Sequence, residues 1–383
     1  MFFGNLFIKV NISCIYVNVW AIKIILPWLK ISMLKIAHIV GSLQVGGAER
    51  FVIDLSHTQL KSSLQPSIFS FYSGDTPLVE ECNKLKIPII VSYKKNKLLK
   101  LMEMYHKLRN FDVIHIHTPY ALKSLIWILP YLNCQVIYTR HGAKTMHENF
   151  WVKLHLRAKK YIDFITFVSQ EGMENFQKYH FWSDIPHSVI DNGVIINPVN
   201  KISESGGIVR IGSVGRMVPL KNQQGLLKAV NHLNKHFQDK IALHFFGDGE
   251  CLKQLESYHN EMIVNVPTTF HGMVSDREKI YSNIDVLVVC SETEGLSMVI
   301  IEAMANNIPV IATNVGGNPK LVIDHKTGWL FDYDDDETLA KIMTNIINEE
   351  SILTSMGDNA FNYISENFSI QSSANKYAEL YEN

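Results

Sequence analysis

Residues 291–319 read SETEGLSMVIIEAMANNIPVIATNVGGNP, and this stretch says more about the fold than any other part of the chain. The pattern predicts a strand at 286–290, a loop over 291–296 and a helix that starts at Ser297. The apolar run 309–312 predicts a second buried strand. A helix that starts just beyond a strand's carboxyl end offers backbone N–H groups to an anion. The stretch therefore indicates alternating strands and helices with an anion-binding edge.

Two glutamates in this stretch, Glu294 and Glu302, are separated by seven residues. Glu294 falls on the predicted loop, and Glu302 falls one to two turns into the predicted helix. Two carboxylates beside an anion pocket suit a ligand that has both a diphosphate and free hydroxyls, such as a nucleotide sugar. Taken alone, the spacing more often marks two solvated glutamates on an ordinary helix, so the flanking sequence has to decide.

The flanking sequence resembles the family 4 glycosyltransferases, which are retaining enzymes of the GT-B architecture. Their signature is a Glu-x7-Glu element followed by Glu-Ala-Met and a strand that ends near Gly-Gly. Residues 302–305 (EAMA) and 309–313 (PVIAT) match this signature, and the resemblance extends from about Met33 to the C-terminus. One position departs from it. Lys320 stands where many members have a glutamate, which puts any carboxylate role at that position in doubt.

The composition fits a soluble, cytoplasmic enzyme with two cores. The chain has 383 residues, of which 47% are hydrophobic, and its formal net charge is −1 from 36 basic and 37 acidic side chains. This balance gives no strong field that would attract nucleic acid, so we expect no nucleic-acid partner. The five cysteines are scattered and lack Cys-x-x-Cys spacing. They indicate neither a zinc site nor a disulfide framework, and a reducing compartment is the simpler interpretation.

The first 32 residues differ from the rest. They are apolar but interrupted by polar residues, and no run reaches the roughly 18 residues of a membrane-spanning helix. No small-residue cleavage site follows, which argues against a secretory signal. We interpret 1–32 as an extension outside the fold, with Met33 as the natural start, and a peripheral membrane anchor is the alternative.

Beyond Met33, strand and helix patterns alternate twice. The first set of buried strands is predicted at 36–40, 68–71, 87–91, 113–116, 136–138 and 165–168. After a stretch rich in Gly and Ser at 197–207, further strands are predicted at 209–214, 241–246, 286–290 and 310–312. The fold class is therefore α/β, with two doubly wound Rossmann-like domains, 33–197 and 208–365, facing across a cleft. The resemblance implies that 366–383 forms a helix that returns to the first domain.

Gly46-Gly47 follows the first strand and opens the first helix. Glycines there allow close backbone approach to an anion or a sugar ring. Gly-Gly by itself is more often only a turn, and it is not the dinucleotide pattern G-x-G-x-x-G. Before Ala48-Glu49-Arg50, it resembles the glycine loop of the family's N-terminal domain.

Arg216 and Lys221 lie in the loop after the first strand of the second half, where Gly215 precedes them. A guanidinium and an ammonium five residues apart can hold a diphosphate from two sides. The bare spacing more often means two solvated cations. The resemblance implies a diphosphate clamp that would neutralise charge on the departing nucleoside diphosphate.

Three histidines lie on or just after strands of the first half. His141 comes after the strand at 136–138, and the resemblance implies contact with the donor sugar, while a loop histidine with only local hydrogen bonds is the alternative. His115 and His117 lie along the strand at 113–116, and we expect them to point to opposite faces. His117, nearer the strand end, is the candidate for contact with the acceptor.

Three further segments are open to two interpretations. The acidic run 332–337 could suggest a metal site, but it precedes a helical pattern, so we interpret it as a helix cap and predict no required metal. Gly247 and Gly249 predict a turn, and the resemblance implies that they also line the pocket of the nucleotide base. Residues 149–162 place basic side chains beside aromatic ones. They predict a core-packing helix with a basic face, or alternatively a contact with an anionic membrane.

The most consistent interpretation is a retaining, nucleotide-sugar-dependent glycosyltransferase without a cofactor. It would transfer a sugar, with UDP favoured over GDP, to a glycan or lipid-linked acceptor in surface polysaccharide or lipopolysaccharide synthesis. The predicted donor site comprises Gly46, Gly47, Gly215, Arg216, Lys221, Gly247, Gly249, Glu294, Gly295, Leu296, Ser297, Met298 and Glu302. Glu294, His141, Arg216 and Lys221 are the candidate catalytic residues. A catalytically silent sugar-nucleotide or glycan-binding subunit and a nucleotide-sugar epimerase are the alternatives.

Overall fold

A computed structural model describes residues 33–71, 76–92, 96–142, 148–180, 182, 184–198, 207–263 and 265–382. The N-terminal extension at 1–32 and the cysteine within it lie outside these residues. The four described cysteines are free thiols. Within the described ranges, we find no helix that combines the length and the apolar character needed to cross a membrane.

The first half of the chain forms a seven-stranded parallel sheet in the order β3-β2-β1-β4-β5-β6-β7. Its strands are Leu34–Val40 (β1), Leu64–Ser70 (β2), Ile89–Val91 (β3), Val113–Ile116 (β4), Gln135–Arg140 (β5), Phe164–Phe167 (β6) and His187–Val189 (β7). The helices between them are Gly47–Gln59 (α1), Pro77–Lys84 (α2), Lys97–Leu108 (α3), Pro119–Leu125 (α4), Asn149–Ala158 (α5) and Gln170–His180 (α6). Short 3₁₀ turns occur at Leu129–Tyr131 and Lys159–Tyr161.

The second half forms a six-stranded parallel sheet in the order β10-β9-β8-β11-β12-β13. Its strands are Val209–Val214 (β8), Ile241–Phe246 (β9), Thr268–Phe270 (β10), Val286–Val289 (β11), Val310–Thr313 (β12) and Gly328–Phe331 (β13). The helices are Gln223–His232 (α7), Lys235–Gln238 (α8), Leu252–Met262 (α9), Arg277–Tyr281 (α10), Met298–Met304 (α11), Asn318–Leu321 (α12), Asp336–Asn348 (α13), Ser351–Asn367 (α14) and Ile370–Tyr381 (α15). Residues Pro219–Lys221 form a 3₁₀ turn after β8.

The predicted fold class is confirmed, since both sheets are parallel and both have the doubly wound strand order. The central strands were predicted within a few residues because they are long apolar runs. Strands β7, β10 and β13 were not predicted. Strands β7 and β10 are three-residue edge strands, and β13 opens on Gly328, so none has the continuous apolar pattern of a buried strand.

The C-terminal helix α15 packs against α1 of the first half. It enters through an isolated parallel bridge between Val194 and Ser369, and the Ile370 amide donates to the Val194 carbonyl at 2.9 Å. The hydroxyl of Tyr381 lies 2.7 Å from Nδ1 of His115 in β4. The end of the chain is thus fixed to the sheet of the first half by backbone and side-chain hydrogen bonds.

Helix α5 bears on both interpretations of the segment 149–162. Its Trp151, Leu154 and Ala158 side chains are buried in the core, as expected of a core-packing helix. Phe150 is 50% exposed, and Lys153 and Arg157 are exposed beside it. The helix therefore packs one face and presents a mixed aromatic and basic face outward.

Candidate active site

The two sheets bring their topological switch points to one cavity. Strand order reverses between β1 and β4 in the first sheet, and between β8 and β11 in the second. The loops after β1, β8 and β11 line a cavity of about 270 Å³. Ligands of doubly wound sheets bind outside the carboxyl ends of the strands at such points. The cavity is therefore the candidate active site.

The cavity collects nearly all of the residues that the sequence assigned to the donor site. Its lining includes Gly46, Gly47, His141, Gly215, Arg216, Lys221, Gly247, Glu294, Gly295, Leu296, Ser297, Met298 and Glu302. Gly47 at the start of α1 faces Met298 at the start of α11, since a Cβ on Gly47 would lie 3.2 Å from the Met298 side chain. Residues far apart in the chain thus meet across the cleft, as their chemistry requires.

Lys221 and Glu294 form an ion pair within the cavity. Their Nζ and Oε1 atoms are 2.5 Å apart, and the Ser291 hydroxyl donates to the same carboxylate oxygen at 2.7 Å. The Glu294 side chain is only 10% exposed, so this carboxylate is held in one position. An ammonium has three N–H donors, which leaves Lys221 able to contact a phosphate oxygen as well. Arg216 is exposed at the cavity wall nearby.

The Gly-Gly pair after β12 explains how the Glu294 loop is held. Gly316 has φ +55°, and a Cβ there would lie 1.9 Å from the Glu294 carbonyl oxygen. A Cβ on Gly317 would lie 2.0 Å from the carbonyl oxygen of Gly295. Only glycine permits this contact, so the two loops pack backbone against backbone. The family's Gly-Gly element therefore supports the loop that carries the first glutamate.

Glu302 is held by two donors that the sequence did not indicate. Arg277 donates from Nε to Oε1 at 3.0 Å, and the Tyr281 hydroxyl donates to Oε2 at 2.7 Å. The other guanidinium nitrogens of Arg277 reach both carboxylate oxygens of Asp54 in α1, at 3.0 and 2.8 Å. Burial opposes the charge of Arg277, but the carboxylates of Glu302 and Asp54 raise its pKa well above the usual range. Arg277 therefore joins the donor-side glutamate to the facing domain.

The histidines of the first sheet form a hydrogen-bonded chain below the cavity. His117 Nδ1 lies 3.1 Å from His141 Nε2, and His117 Nε2 lies 3.0 Å from His38 Nδ1. His38 Nε2 lies 2.8 Å from the Gln59 amide oxygen. Burial, together with the nearby charge of Arg140, lowers the pKa of His141 to about 3, and burial lowers that of His38 to about 4. These rings are neutral at physiological pH.

Two expectations about these histidines are corrected by the geometry. The expected opposite orientation of His115 and His117 is wrong, because residues two apart in a strand share a face and these ring centroids are 4.0 Å apart. His117 is 1% exposed and does not line the cavity, so it lies beneath His141 and is not placed to touch an acceptor.

The buried histidines also test the idea of a metal site in this sheet. Nitrogen atoms of His38, His115 and His117 lie within 4.8 Å of one another. Their ring nitrogens already have protein partners, which for His115 are the Tyr381 hydroxyl at 2.7 Å and the Thr139 hydroxyl at 2.6 Å. The nitrogen atoms that could bind a metal therefore already form hydrogen bonds with other side chains. The absence of a required metal stays a prediction.

The remaining segments of the sequence analysis have structural roles outside the cavity. Gly249 does not line it, and a Cβ there would lie 2.3 Å from the Met217 carbonyl oxygen, so this glycine packs against the Arg216 loop. In the acidic run, the Asp335 side chain accepts from the Thr338 amide at 3.0 Å and caps α13. Lys320 does not line the cavity and pairs with Asp191.

Several cavity residues were missed in addition to Arg277, and three of them have side chains that bear on the site. Arg50, Asn192 and Met273 line the cavity, and Arg50 donates to the Ser275 carbonyl in the facing domain. The Asn192 amide oxygen is buried without a hydrogen-bond partner among the described residues. An Asn-Gly pair marks Asn192, but it lies three residues beyond β7, a strand that the sequence did not predict, and nothing in the sequence singles out Arg277.

Comparison with known proteins supports the same assignment. The family model described as "Glycosyltransferase Family 4" matches residues 45–197, and the model described as "Glycosyl transferases group 1" matches residues 200–363. Together they cover twelve of the thirteen strands and most of the described chain. The chain therefore belongs to the group 1, family 4 glycosyltransferases, and its fold is GT-B.

Several characterised proteins are similar over most of their length. An N-acetylgalactosaminyltransferase of Campylobacter jejuni that acts on an undecaprenol-diphosphate glycan is 25% identical over 352 residues, 86% of this chain and 93% of the relative. The Escherichia coli UDP-Gal:alpha-D-GlcNAc-diphosphoundecaprenol alpha-1,3-galactosyltransferase is 25% identical over 380 residues, 91% and 97% of the two chains. The crystal structure of Anabaena HepE with UDP and glucose superimposes with a TM-score of 0.81 at 21% identity, covering 91% and 99%.

Proposed function

We propose that this glycosyltransferase transfers a sugar from a UDP-sugar to a lipid-linked or glycan acceptor with retention of anomeric configuration. The observation that carries the proposal is the convergence of Arg216, Lys221, Glu294 and Glu302 in one cavity between facing switch points. Two cations suit a diphosphate, and two fixed carboxylates suit hydroxyl groups. The Escherichia coli relative is named for UDP-Gal, and the HepE structure contains UDP. Both favour a uridine nucleotide in the donor.

Each residue has a role that follows from its chemistry. Arg216 and Lys221 hold the diphosphate and stabilise the negative charge that develops as the nucleoside diphosphate departs. Glu302 accepts hydrogen bonds from ribose hydroxyls, since a carboxylate has about four acceptor sites and its two protein donors occupy only part of them. Glu294 accepts from a sugar hydroxyl and positions the ring. No side chain is assigned as general base, and the departing phosphate takes the acceptor's proton on the same face.

The outward face of the first domain suggests how a lipid-linked acceptor is reached. A groove of about 810 Å³ is lined by the cations Lys100, Lys123, Arg157 and Lys160, and none of the described residues that line it is acidic. Trp127 in the same groove is 59% exposed, and Lys123 lies over the Phe150 ring at 4.9 Å. Aromatic and basic side chains together favour an anionic membrane surface. We therefore place this face against the cytoplasmic side of a membrane.

Vesicle co-sedimentation tests the membrane contact. Each cation near an anionic surface contributes about 1 kcal/mol, so Lys123→Ala with Lys160→Ala should weaken binding to phosphatidylglycerol vesicles by roughly 30-fold. The matched double variant Lys235→Ala with Lys253→Ala removes two exposed lysines of the other domain and should bind as the wild type does. Equal binding of all three proteins, or equal binding to neutral phosphatidylcholine vesicles, would refute the membrane contact.

Turnover of UDP-sugars tests the transferase activity itself. Free UDP should appear only with a UDP-sugar and an undecaprenol-diphosphate-linked acceptor, and the product's anomeric configuration should equal that of the donor by NMR. Glu294→Gln should lower kcat by roughly 10²- to 10³-fold, the loss typical of one preorganised electrostatic group. Glu292→Gln, an exposed glutamate two residues away, is the matched control. Donor binding without UDP release would favour the silent subunit, and epimerised donor would favour the epimerase.

A further inference from the structure

The chain of side chains beneath His141 has a direction that its chemistry fixes. Gln59, His38, His117 and His141 follow one another with contacts of 2.8, 3.0 and 3.1 Å. Two of these contacts join ring nitrogens, and in each of them one nitrogen must donate and the other must accept. A neutral imidazole has one N–H, so a ring that accepts at one nitrogen donates at the other. The tautomer of His38 therefore determines the tautomers of His117 and His141.

Gln59 stands at the closed end of this chain. It is 1% exposed in α1, and its amide oxygen is the atom that faces His38 Nε2. An amide oxygen only accepts, so His38 carries its proton on Nε2 and accepts at Nδ1. His117 then donates from Nε2 and accepts at Nδ1, and His141 donates from Nε2. His141 Nδ1 is left unprotonated.

His141 Nδ1 is also the end of the chain that lacks a partner. This atom is buried and has no hydrogen-bond partner among the described residues, although His141 lines the cavity. A buried acceptor without a donor is costly unless a ligand satisfies it. The hydroxyl groups of a sugar in the cavity are donors of the right kind, whereas phosphate oxygens are not.

We propose that Gln59, His38 and His117 are positioning residues that hold His141 in its Nε2–H form, so that Nδ1 accepts a hydrogen bond from a hydroxyl of the bound sugar. The inference rests on the proposed donor site. Contact of His141 with the donor sugar is what the family resemblance implies, and the inference adds the positioning roles of Gln59, His38 and His117. It also gives a role to the buried histidines that line up behind the cavity wall. A donor sugar that lacks the recognised hydroxyl leaves Nδ1 unpaired and reacts poorly.

The tautomers can be observed directly in the full chain labelled with 15N-histidine. Two-bond 1H–15N spectra at neutral pH distinguish the two neutral forms and the imidazolium. We expect His38, His117 and His141 all in the Nε2–H form, each assigned by its disappearance in the corresponding His→Asn variant. Addition of a UDP-sugar should shift His141 Nδ1, and UDP alone should not. A His141 protonated at Nδ1, as a reversed Gln59 amide would require, overturns the proposal.

A pair of variants separates positioning from structural support. Gln59→Leu removes the terminal acceptor, so His141 should populate both neutral forms, and kcat/KM for the UDP-sugar should fall by roughly 3- to 10-fold, as expected for one neutral hydrogen bond. The Kd of UDP should stay within about twofold because UDP carries no transferred sugar. Gln238→Leu, which removes a side chain that donates to the Val230 and Leu233 carbonyls, is the control.

The outcomes distinguish this inference from the proposed function. Turnover of a UDP-sugar with His141 in the Nδ1–H form refutes the positioning role alone. No turnover of any UDP-sugar, with the three tautomers as expected, refutes the proposed function and leaves the hydrogen-bonded chain intact. An equal loss of UDP affinity and of kcat/KM in Gln59→Leu would show that Gln59 only supports the fold, and would also overturn the proposal.

Discussion

At the scale of single residues, the site consists of charged side chains that other residues hold in place. Their positions show where a ligand would bind. Lys221 and Glu294 neutralise each other at 2.5 Å, and Glu302 is held by Arg277 and Tyr281. Preorganised groups of this kind stabilise developing charge without having to move during the reaction. The family signature therefore includes both the charged residues of the site and the residues that hold them in place.

Glu302 provides a test of ribose recognition. If its carboxylate accepts from the ribose, UDP should bind more tightly than 2′-deoxy-UDP or 3′-deoxy-UDP, by roughly 10- to 150-fold for a hydrogen bond to a charged group. This preference should shrink in Glu302→Gln and persist in Glu278→Gln, an exposed glutamate of the same domain. Isothermal calorimetry with the nucleotides measures it. An unchanged preference in Glu302→Gln would exclude the ribose role.

The sequence identified these charged residues because each belongs to a motif with a fixed spacing. Arg277 and Asn192 escaped because they act through tertiary contacts, and a single sequence does not show which side chains meet across a cleft. The histidines illustrate the other kind of error. His117 was given to the acceptor because it follows a strand, yet it is covered by His141 and is used to hold that ring.

At the scale of elements, the site depends on loops held by backbone contacts. The loop that carries Glu294 packs on Gly316 and Gly317, and the Arg216 loop packs on Gly247 and Gly249. Strands β8 and β11 were predicted almost to the residue because their apolar runs are buried in the sheet. The edge strands β7 and β10 were missed because none of their positions is buried. Strand β13 was missed although three of its four positions are buried, because it is short and opens on Gly328.

Gly316→Ala tests the loop contact. An Ala at positive φ costs about 1–2 kcal/mol anywhere, and overlap with the Glu294 carbonyl should add a further 1–3 kcal/mol. Gly272→Ala is the matched control, since Gly272 has φ +65° but open space where a Cβ would lie. Urea denaturation and the turnover assay measure both variants. Equal costs in the two variants, with transferase activity unaffected, would contradict the role assigned to the Gly-Gly pair.

At the scale of the whole molecule, Arg277 bridges carboxylates of the two facing domains. Arg277 binds Asp54 of the first domain through two hydrogen bonds and Glu302 of the second through one. Asp54 is 1% exposed, so the ion pair is buried, and both carboxylate oxygens of Asp54 accept a hydrogen bond from Arg277. Glu302, the carboxylate that we assign to the ribose, therefore shares a hydrogen-bonding partner with a residue of the facing domain.

Asp54→Asn should open this contact. Removing one partner of a buried ion pair costs about 3–5 kcal/mol, and the loss should appear as a larger radius of gyration of the free chain in small-angle scattering. Asp285→Asn is the matched control, because the Arg210–Asp285 pair lies within the second domain and should affect stability without changing the domain arrangement. An unchanged radius of gyration in Asp54→Asn would show that other contacts hold the domains together.

The buried histidines predict how stability depends on pH. Folding lowers the pKa of His38 to about 4, so between about pH 6.5 and 4 the unfolded chain binds more protons than the folded one. The free energy of unfolding should therefore fall as the pH drops through this window, by up to about 1.4 kcal/mol per pH unit for this group. His38→Asn should flatten the slope in urea denaturation, whereas His325→Ala, an exposed histidine, should not. Equal slopes would contradict a neutral buried His38.

The central claim is that Arg216 and Lys221 form the diphosphate site of a uridine nucleotide. Calorimetry of UDP and GDP with the full chain, Arg216→Ala, Lys221→Ala and the control Lys228→Ala tests it most directly. We predict selective UDP binding that each of the first two variants weakens by roughly 10- to 150-fold, the loss of one charge-assisted contact, and that Lys228→Ala leaves unchanged. Binding of neither nucleotide, or UDP binding indifferent to both substitutions, would contradict the donor site and favour a silent subunit.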